Sequence, residues 1–61
     1  LAPASAEAHN NLGACLERPG RPADAVPHYE SALALRPGAP EIEVNLARAR
    51  QAAARAMRPS R

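Results

Sequence analysis

The stretch AEAHNNLGACLERPGRPADAVPHYESALALRPGA, residues 6–39, holds two helix-period apolar patterns, each closed by a Pro-Gly pair. In the first, Ala8, Leu12, Cys15 and Leu16 recur at i, i+4, i+7 and i+8, the spacing of a single helix face. Ser5 stands just ahead with a hydroxyl suited to an N-cap, and Glu7 falls in the first turn, where the helix dipole favours an anion. Arg18-Pro19-Gly20-Arg21-Pro22 must end this helix, because Pro19 disfavours helical backbone at Arg18 and Gly20 supports a turn. Pro22 suits the first position of a second helix, whose inner face reads Ala25, Tyr29 and Ala32 with Val26 and Leu33 beside it. Pro27 removes an N–H early in that helix and crowds the carbonyl of Ala23, so a bend or a 3₁₀ start is expected. Pro37-Gly38 stops it.

Beyond residue 39, Pro40, Glu41 and Glu43 open a third helix with Ile42, Leu46, Ala49, Ala53 and Ala56 on one stripe. It should end before Pro59, with Arg55 and Arg58 near its negative end. Sliding the chain along itself by 34 residues pairs Leu1 with Leu35, Pro3 with Pro37 and Glu7 with Glu41. The same shift pairs Asn11 with Asn45, Leu12 with Leu46 and Arg21 with Arg55, six identities in 27 overlapped positions. Ala8 with Ile42, Gly13 with Ala47 and Cys15 with Ala49 join them as conservative pairs. A period of 34 residues is the length of a helix–turn–helix repeat.

Length and composition remove the other classes. At 61 residues the chain fits one domain at most, and alanine makes up 16 of its 28 apolar residues, so the core is thin and no large buried active site fits. No apolar run approaches the roughly 18 residues of a membrane span. One cysteine excludes an internal disulfide and suits a reducing, cytoplasmic setting; since the first residue is Leu1, the lack of a signal peptide does not fix the location. Residues 1–47 carry three Arg and six acids, net −3, whereas residues 48–61 carry five Arg and no acid, net +5.

The spacing His9-x2-Leu12-Gly13-x2-Leu16, then Gly20, then Ala25-x3-Tyr29, then Ala32 and Pro37 resembles a tetratricopeptide repeat. Residues 1–5 then read as the tail of a preceding repeat and 6–39 as one complete repeat. Residues 40–57 read as the first helix of the next repeat or a capping helix, and 58–61 as a disordered tail. The resemblance implies an all-α, antiparallel helix–turn–helix fold of about three helices, a fragment of an α-solenoid at the C-terminal end of a bacterial-type array. The polar, Arg-rich side of the third helix suits such an end. Gly13 and Ala32 would let the paired helices approach, Tyr29 would fill the space between them, and His9 replaces the usual large aromatic that meets the preceding repeat.

The resemblance also implies a non-catalytic scaffold that binds protein or an extended peptide along a groove lined by the first helix of each repeat. Asn11 and Asn45 precede Leu12-Gly13 and Leu46-Ala47, where arrays of the glycosyltransferase type hold a peptide backbone with a carboxamide. Two other readings remain: a substrate-docking arm of a larger enzyme, such as a repeat-fused glycosyltransferase, or an arginine-tailed adaptor for anions or nucleic acid. Against the latter, the basic run from Arg48 to Arg61 lacks interleaved aromatics. His9, Cys15 and His28 lack paired zinc-ligand spacing and there is no phosphate loop, so no metal, cofactor or catalytic residue is expected. Cys15 is expected in the helix interface and His28 on the exposed side of the second helix. Self-association is expected through the open start around Leu1, Ala8 and Leu12.

Overall fold

The computed structural model describes residues 5–57, which form three α-helices: α1 (Ala6–Glu17), α2 (Pro22–Leu35) and α3 (Pro40–Met57). Of the preceding-repeat tail expected at 1–5, residues 1–4 fall outside these residues, as does the disordered tail expected at 58–61. Each helix starts where a local signal places it. The Ser5 hydroxyl accepts from the Ala8 amide at 3.1 Å and caps α1. Pro22 sits at the first position of α2, and Pro40 opens α3.

The turns follow from two glycines. After α1 the Arg21 amide donates to the Leu16 carbonyl at 3.1 Å and the Gly20 amide to the Glu17 carbonyl at 3.0 Å, the paired bonds of a Schellman ending. Gly20 has φ 84°, a left-handed conformation that a Cβ would strain. After α2 the Ala39 amide donates to the Arg36 carbonyl at 3.3 Å around Pro37-Gly38, with Gly38 at φ 81°. That is the Pro-then-Gly order of a type II turn.

The start of α2 is α-helical from Pro22 onward, so Pro27 is carried within the helix and no 3₁₀ turn forms there. The reason is exposure: Ala23, whose carbonyl loses its amide partner, lies at the surface, where water can supply the missing bond.

The core runs along α2. Ala25, Tyr29 and Ala32 are fully buried, and Ile42, Leu46 and Ala49 of α3 close over them. Ala53 is half-buried and Ala56 exposed, so the α3 stripe fades after three turns. Burying Ile42 and Leu46 stabilises the docking of α3 by roughly 1.5–3 kcal/mol per side chain. Among the described residues Tyr29 is the one large side chain with no exposed surface. Its ring occupies the volume above Gly13: a Cβ there would lie 2.7–2.9 Å from three ring atoms. Gly13 therefore makes room for the aromatic body, and that contact sets how closely α1 approaches α2.

The face that α1 turns inward differs from the apolar periodicity. Gly13 is buried and Ala6, His9, Leu16 and Glu17 are half-buried, whereas Ala8, Leu12 and Cys15 are exposed. Cys15 thus lies outside the helix interface in which it was expected, because the Tyr29 ring rotates the small Gly13 side of α1 toward α2. His28 is half-buried, not exposed. Its ring stacks on that of His9 with centroids 6.1 Å apart and planes 24° from parallel. His9 is accordingly turned toward α2 within its own hairpin.

Candidate functional site

A polar network ties α1 to α3 across the ends of their shared core. The Tyr29 hydroxyl donates to Glu17 Oε1 at 2.7 Å. Arg48 reaches the same carboxylate with two nitrogens, Nη2 to Oε1 at 2.8 Å and Nε to Oε2 at 3.2 Å. Such a two-point guanidinium–carboxylate pair is directional as well as charged. Arg48 Nη2 also donates to Asn45 Oδ1 at 3.0 Å, and Asn45 Nδ2 donates to Asn10 Oδ1 at 2.9 Å. The Arg48 guanidinium, by hydrogen bonding, holds the Glu17 carboxyl below its ordinary pKa despite partial burial, and the Tyr29 hydroxyl assists. Burial, followed by the hydrogen bond to Glu17, pushes the Tyr29 phenol up to about 12.

Asn45, one of the two asparagines implied by the resemblance, is thus held between Asn10 and Arg48. Asn11 stands elsewhere: it is exposed and lines an open cleft of about 330 Å³ between the N-terminal halves of α1 and α3. Ala6, Ala39 and Ile42 form the apolar part of that cleft. Glu7 and Asn10 from α1, Glu41 from α3 and Arg36 from the intervening loop form its polar part. The two asparagines therefore do not meet. Asn10, which sequence reasoning left unassigned, is the residue that connects them, contributing to the cleft and bonding to Asn45. The only signal that could have singled it out is its position immediately before Asn11.

The repeat-signature residues divide by task. Gly13, Ala25, Tyr29 and Ala32 pack the helix pair and Leu16 borders the core, while Gly20 and Pro37 shape the turns. Leu12 is 45% exposed and, among the described residues, is not part of a buried core cluster as Leu46 is.

The charged and metal-ligand residues are placed as follows. Arg48 and Arg50 are engaged in ion pairs with Glu17 at 2.8 Å and Glu30 at 3.0 Å. Arg55 lies in the last turn of α3, and Arg58 falls outside the described residues. Among the described residues no three His, Cys, Asp or Glu side chains gather where a metal ion could be held, and no helix is long and apolar enough to cross a membrane. The His9 Nδ1 atom is buried without a hydrogen-bond partner beside the His28 ring.

Comparison with curated proteins and with solved structures finds no significant match. The family model of the tetratricopeptide repeat matches residues 6–49, which spans α1, both turns, α2 and the part of α3 that docks on the core. A helical hairpin packed around Tyr29, with the next helix laid over it one period later, is the unit that the match covers. The chain therefore belongs to the tetratricopeptide repeat family, whose members are protein-interaction scaffolds.

Proposed function

We propose that this chain is a non-catalytic interaction module that takes up an extended peptide in the cleft between α1 and α3. The observation that carries the reading is the state of Asn11. Asn11 borders the cleft, and among the described residues its side chain forms no hydrogen bond within the chain. A carboxamide with both functions free can accept from a peptide N–H and donate to a peptide C=O. Contacts of that kind hold a strand without reading its side chains. Asn45 plays a supporting part: with Oδ1 and one N–H engaged by Arg48 and Asn10, it fixes the wall on which Asn11's neighbour sits.

Substituting Asn11 and Asn45 together with Ala should weaken binding of a blocked, uncharged extended peptide by about 1–3 kcal/mol, Asn11 through the hydrogen bonds that it lends the peptide and Asn45 through the lost bond to Asn10 that shapes the cleft wall. Asn11→Ala alone should account for about 0.5–1.5 kcal/mol with helicity unchanged. Titration followed by amide chemical shifts measures both, and unchanged affinity in the double variant contradicts the clamp.

The exposed Ala8, Leu12 and Cys15 face of α1 supports a second mode of interaction, self-association. Circular dichroism across a concentration series tests it. Unfolding should shift to higher temperature as the chain is concentrated; a concentration-independent transition above about 65 °C contradicts the idea. The arginine-tailed anion adaptor has less support, because Arg48 and Arg50 are engaged by the chain's own carboxylates.

A further inference from the structure

We infer that two copies of this chain pair through the exposed face of α1, antiparallel across a two-fold axis beside Leu12; this deepens, and rests on, the self-association reading above. Ala8, Leu12 and Cys15 form the apolar strip of that face, and all three are exposed. An apolar strip alone does not say what covers it. The charges beside it do. Glu7 lies before the strip and Arg18 after it, both exposed, and among the described residues neither forms an ion pair. Helical backbone continues through Arg18, the C-cap, at φ −57° and ψ −46°. Arg18 follows Glu7 by about three helical turns, which returns it to within about 20° of Glu7 around the axis and roughly 16 Å further along it. An acid in the first turn and a base at the far end each complement the helix dipole, which accounts for their signs. It does not account for their sharing one flank at nearly equal distances from Leu12.

A two-fold interface must complement itself, and this face does so only when the helices run antiparallel. Charges flanking an apolar seam then decide orientation, as they do in coiled coils. Glu7 of each copy comes opposite Arg18 of the other, which gives two ion pairs between copies. Leu12 meets Leu12 at the axis, and Ala8 lies within about one residue of Cys15 of the second copy. A parallel pair would set Glu7 against Glu7 and Arg18 against Arg18. Ala8 and Cys15 are small, so the helix axes can approach to the short end of the usual range, roughly 8–10 Å. Near the end of α1, Glu17 and Arg21 are already paired with Arg48 and Asp24, which leaves Arg18 as the available cation. At the other end Glu7 borders the cleft with Arg36 but forms no ion pair with it. One helix face per copy buries little surface, so the pair belongs with the weak interfaces below roughly 1,200 Å² of total area.

Sedimentation of the full chain across a dilution series reads the pairing, with circular dichroism on each variant to confirm intact helicity. Glu7→Arg and Arg18→Glu should each weaken association roughly tenfold, because two exposed attractions become repulsions. An equimolar mixture of the two variants should associate about as tightly as the parent chain, since each then meets the opposite charge. Direction is read by cross-linking in oxidised glutathione. The Ala8→Cys variant should form a covalent dimer joining position 8 to Cys15 of the second copy. The parent chain should form none, because in the antiparallel pair its two Cys15 residues lie about 9 Å apart along the helices. That is beyond the roughly 7 Å that a disulfide spans between Cα atoms. A dimer that ignores both charge reversals, or in which the Ala8→Cys variant fails to cross-link to Cys15, overturns the antiparallel pairing and leaves self-association standing. A chain that stays monomeric up to about 1 mM overturns both.

Discussion

Leu12 and Leu46 stand one period apart, at the same turn of α1 and α3, yet Leu12 is 45% exposed and Leu46 only 5%. The same holds on either side of them: Ala8 and Cys15 are exposed, while their counterparts Ile42 and Ala49 are buried. The difference is not in the residues, which are apolar in both helices, but in what lies before them. α3 has α2 to dock on, and α1 presents the equivalent face with no helix against it in the described chain. The opposite faces differ in the reverse sense. Ala6, His9, Gly13, Leu16 and Glu17 of α1 meet α2, whereas their counterparts Pro40, Glu43, Ala47, Arg50 and Gln51 in α3 are all exposed and mostly polar. One outer face is apolar and exposed, and the other is exposed and mostly polar. That asymmetry is what a directional stack requires.

The comparison breaks most completely at Tyr29, which lies between the two ends. Tyr29→Ala should cost roughly 3–5 kcal/mol, because it empties a fully buried aromatic site and removes the hydroxyl from Glu17. Denaturant unfolding measures it, and a loss below about 1 kcal/mol would show that the hairpin does not depend on this ring.

Gly13 and Ala47 sharpen the comparison at a smaller scale, since they occupy equivalent positions facing α2 and solvent respectively. Gly13→Ala places a methyl group 2.7–2.9 Å from the Tyr29 ring, which has no room to withdraw. Overpacking of this kind costs typically about 1–3 kcal/mol, against a gain in helix propensity of up to about 1 kcal/mol. The variant should therefore be destabilised on balance. Ala47→Gly should lose only the propensity, about 1 kcal/mol or less. A Gly13→Ala variant more stable than the parent chain would place the ring elsewhere.

The smallest effect is electrostatic and belongs to the strap from α3 back to α1. The Glu17 carboxyl titrates below its ordinary range because Arg48 holds its charged form. A depressed acid contributes stability above its unfolded pKa and loses it as the pH falls through the folded value. Acidification from about pH 5 to pH 3 should therefore lower the unfolding midpoint, and Glu17→Gln should flatten that slope. An equally steep slope in the variant would mean that other carboxylates carry the acid sensitivity. Tyr29 has the opposite sign. Its phenol, raised to about 12, favours the fold below its unfolded pKa, and that contribution disappears as the pH rises through the folded value.

Much of this arrangement is legible in the chain. Pro19-Gly20 and Pro37-Gly38 mark both turns because proline and positive-φ glycine have few other uses at such spacing. Ala25, Tyr29 and Ala32 are legible as an inner face, as are Ile42, Leu46 and Ala49, because in α2 and α3 the buried residues are all apolar and fall on one helical period, even though Leu35 and Val44 are apolar and exposed. In α1 the packed side is not all apolar. Three members of its apolar stripe, Ala8, Leu12 and Cys15, are exposed, and its packed side combines Ala6 and Leu16 with a glycine, a histidine and a glutamate. A search for hydrophobic periodicity reads that side as surface, although Gly13 is the residue most tightly fitted to Tyr29. The cleft was half legible. The period identifies Asn11 and Asn45, but the bond from Asn45 to Asn10 depends on how two helices cross, which no local pattern encodes. Arg48 reaching Glu17 across 31 positions is hidden for the same reason.

The asymmetry between the two ends is tested most directly by truncating the two equivalent leucines and comparing their costs. Leu46→Ala should destabilise the dilute chain by about 2–5 kcal/mol, the range for a buried leucine. Leu12→Ala should cost less than about 1 kcal/mol under the same conditions, because the side chain is nearly half exposed and has no docked helix against it. Urea unfolding of the two variants beside the parent chain gives both numbers. Costs that differ by a factor of two or more in this order are what the open α1 face and the closed α3 face predict. Equal costs would contradict the account, since the two leucines would then be equally buried in solution.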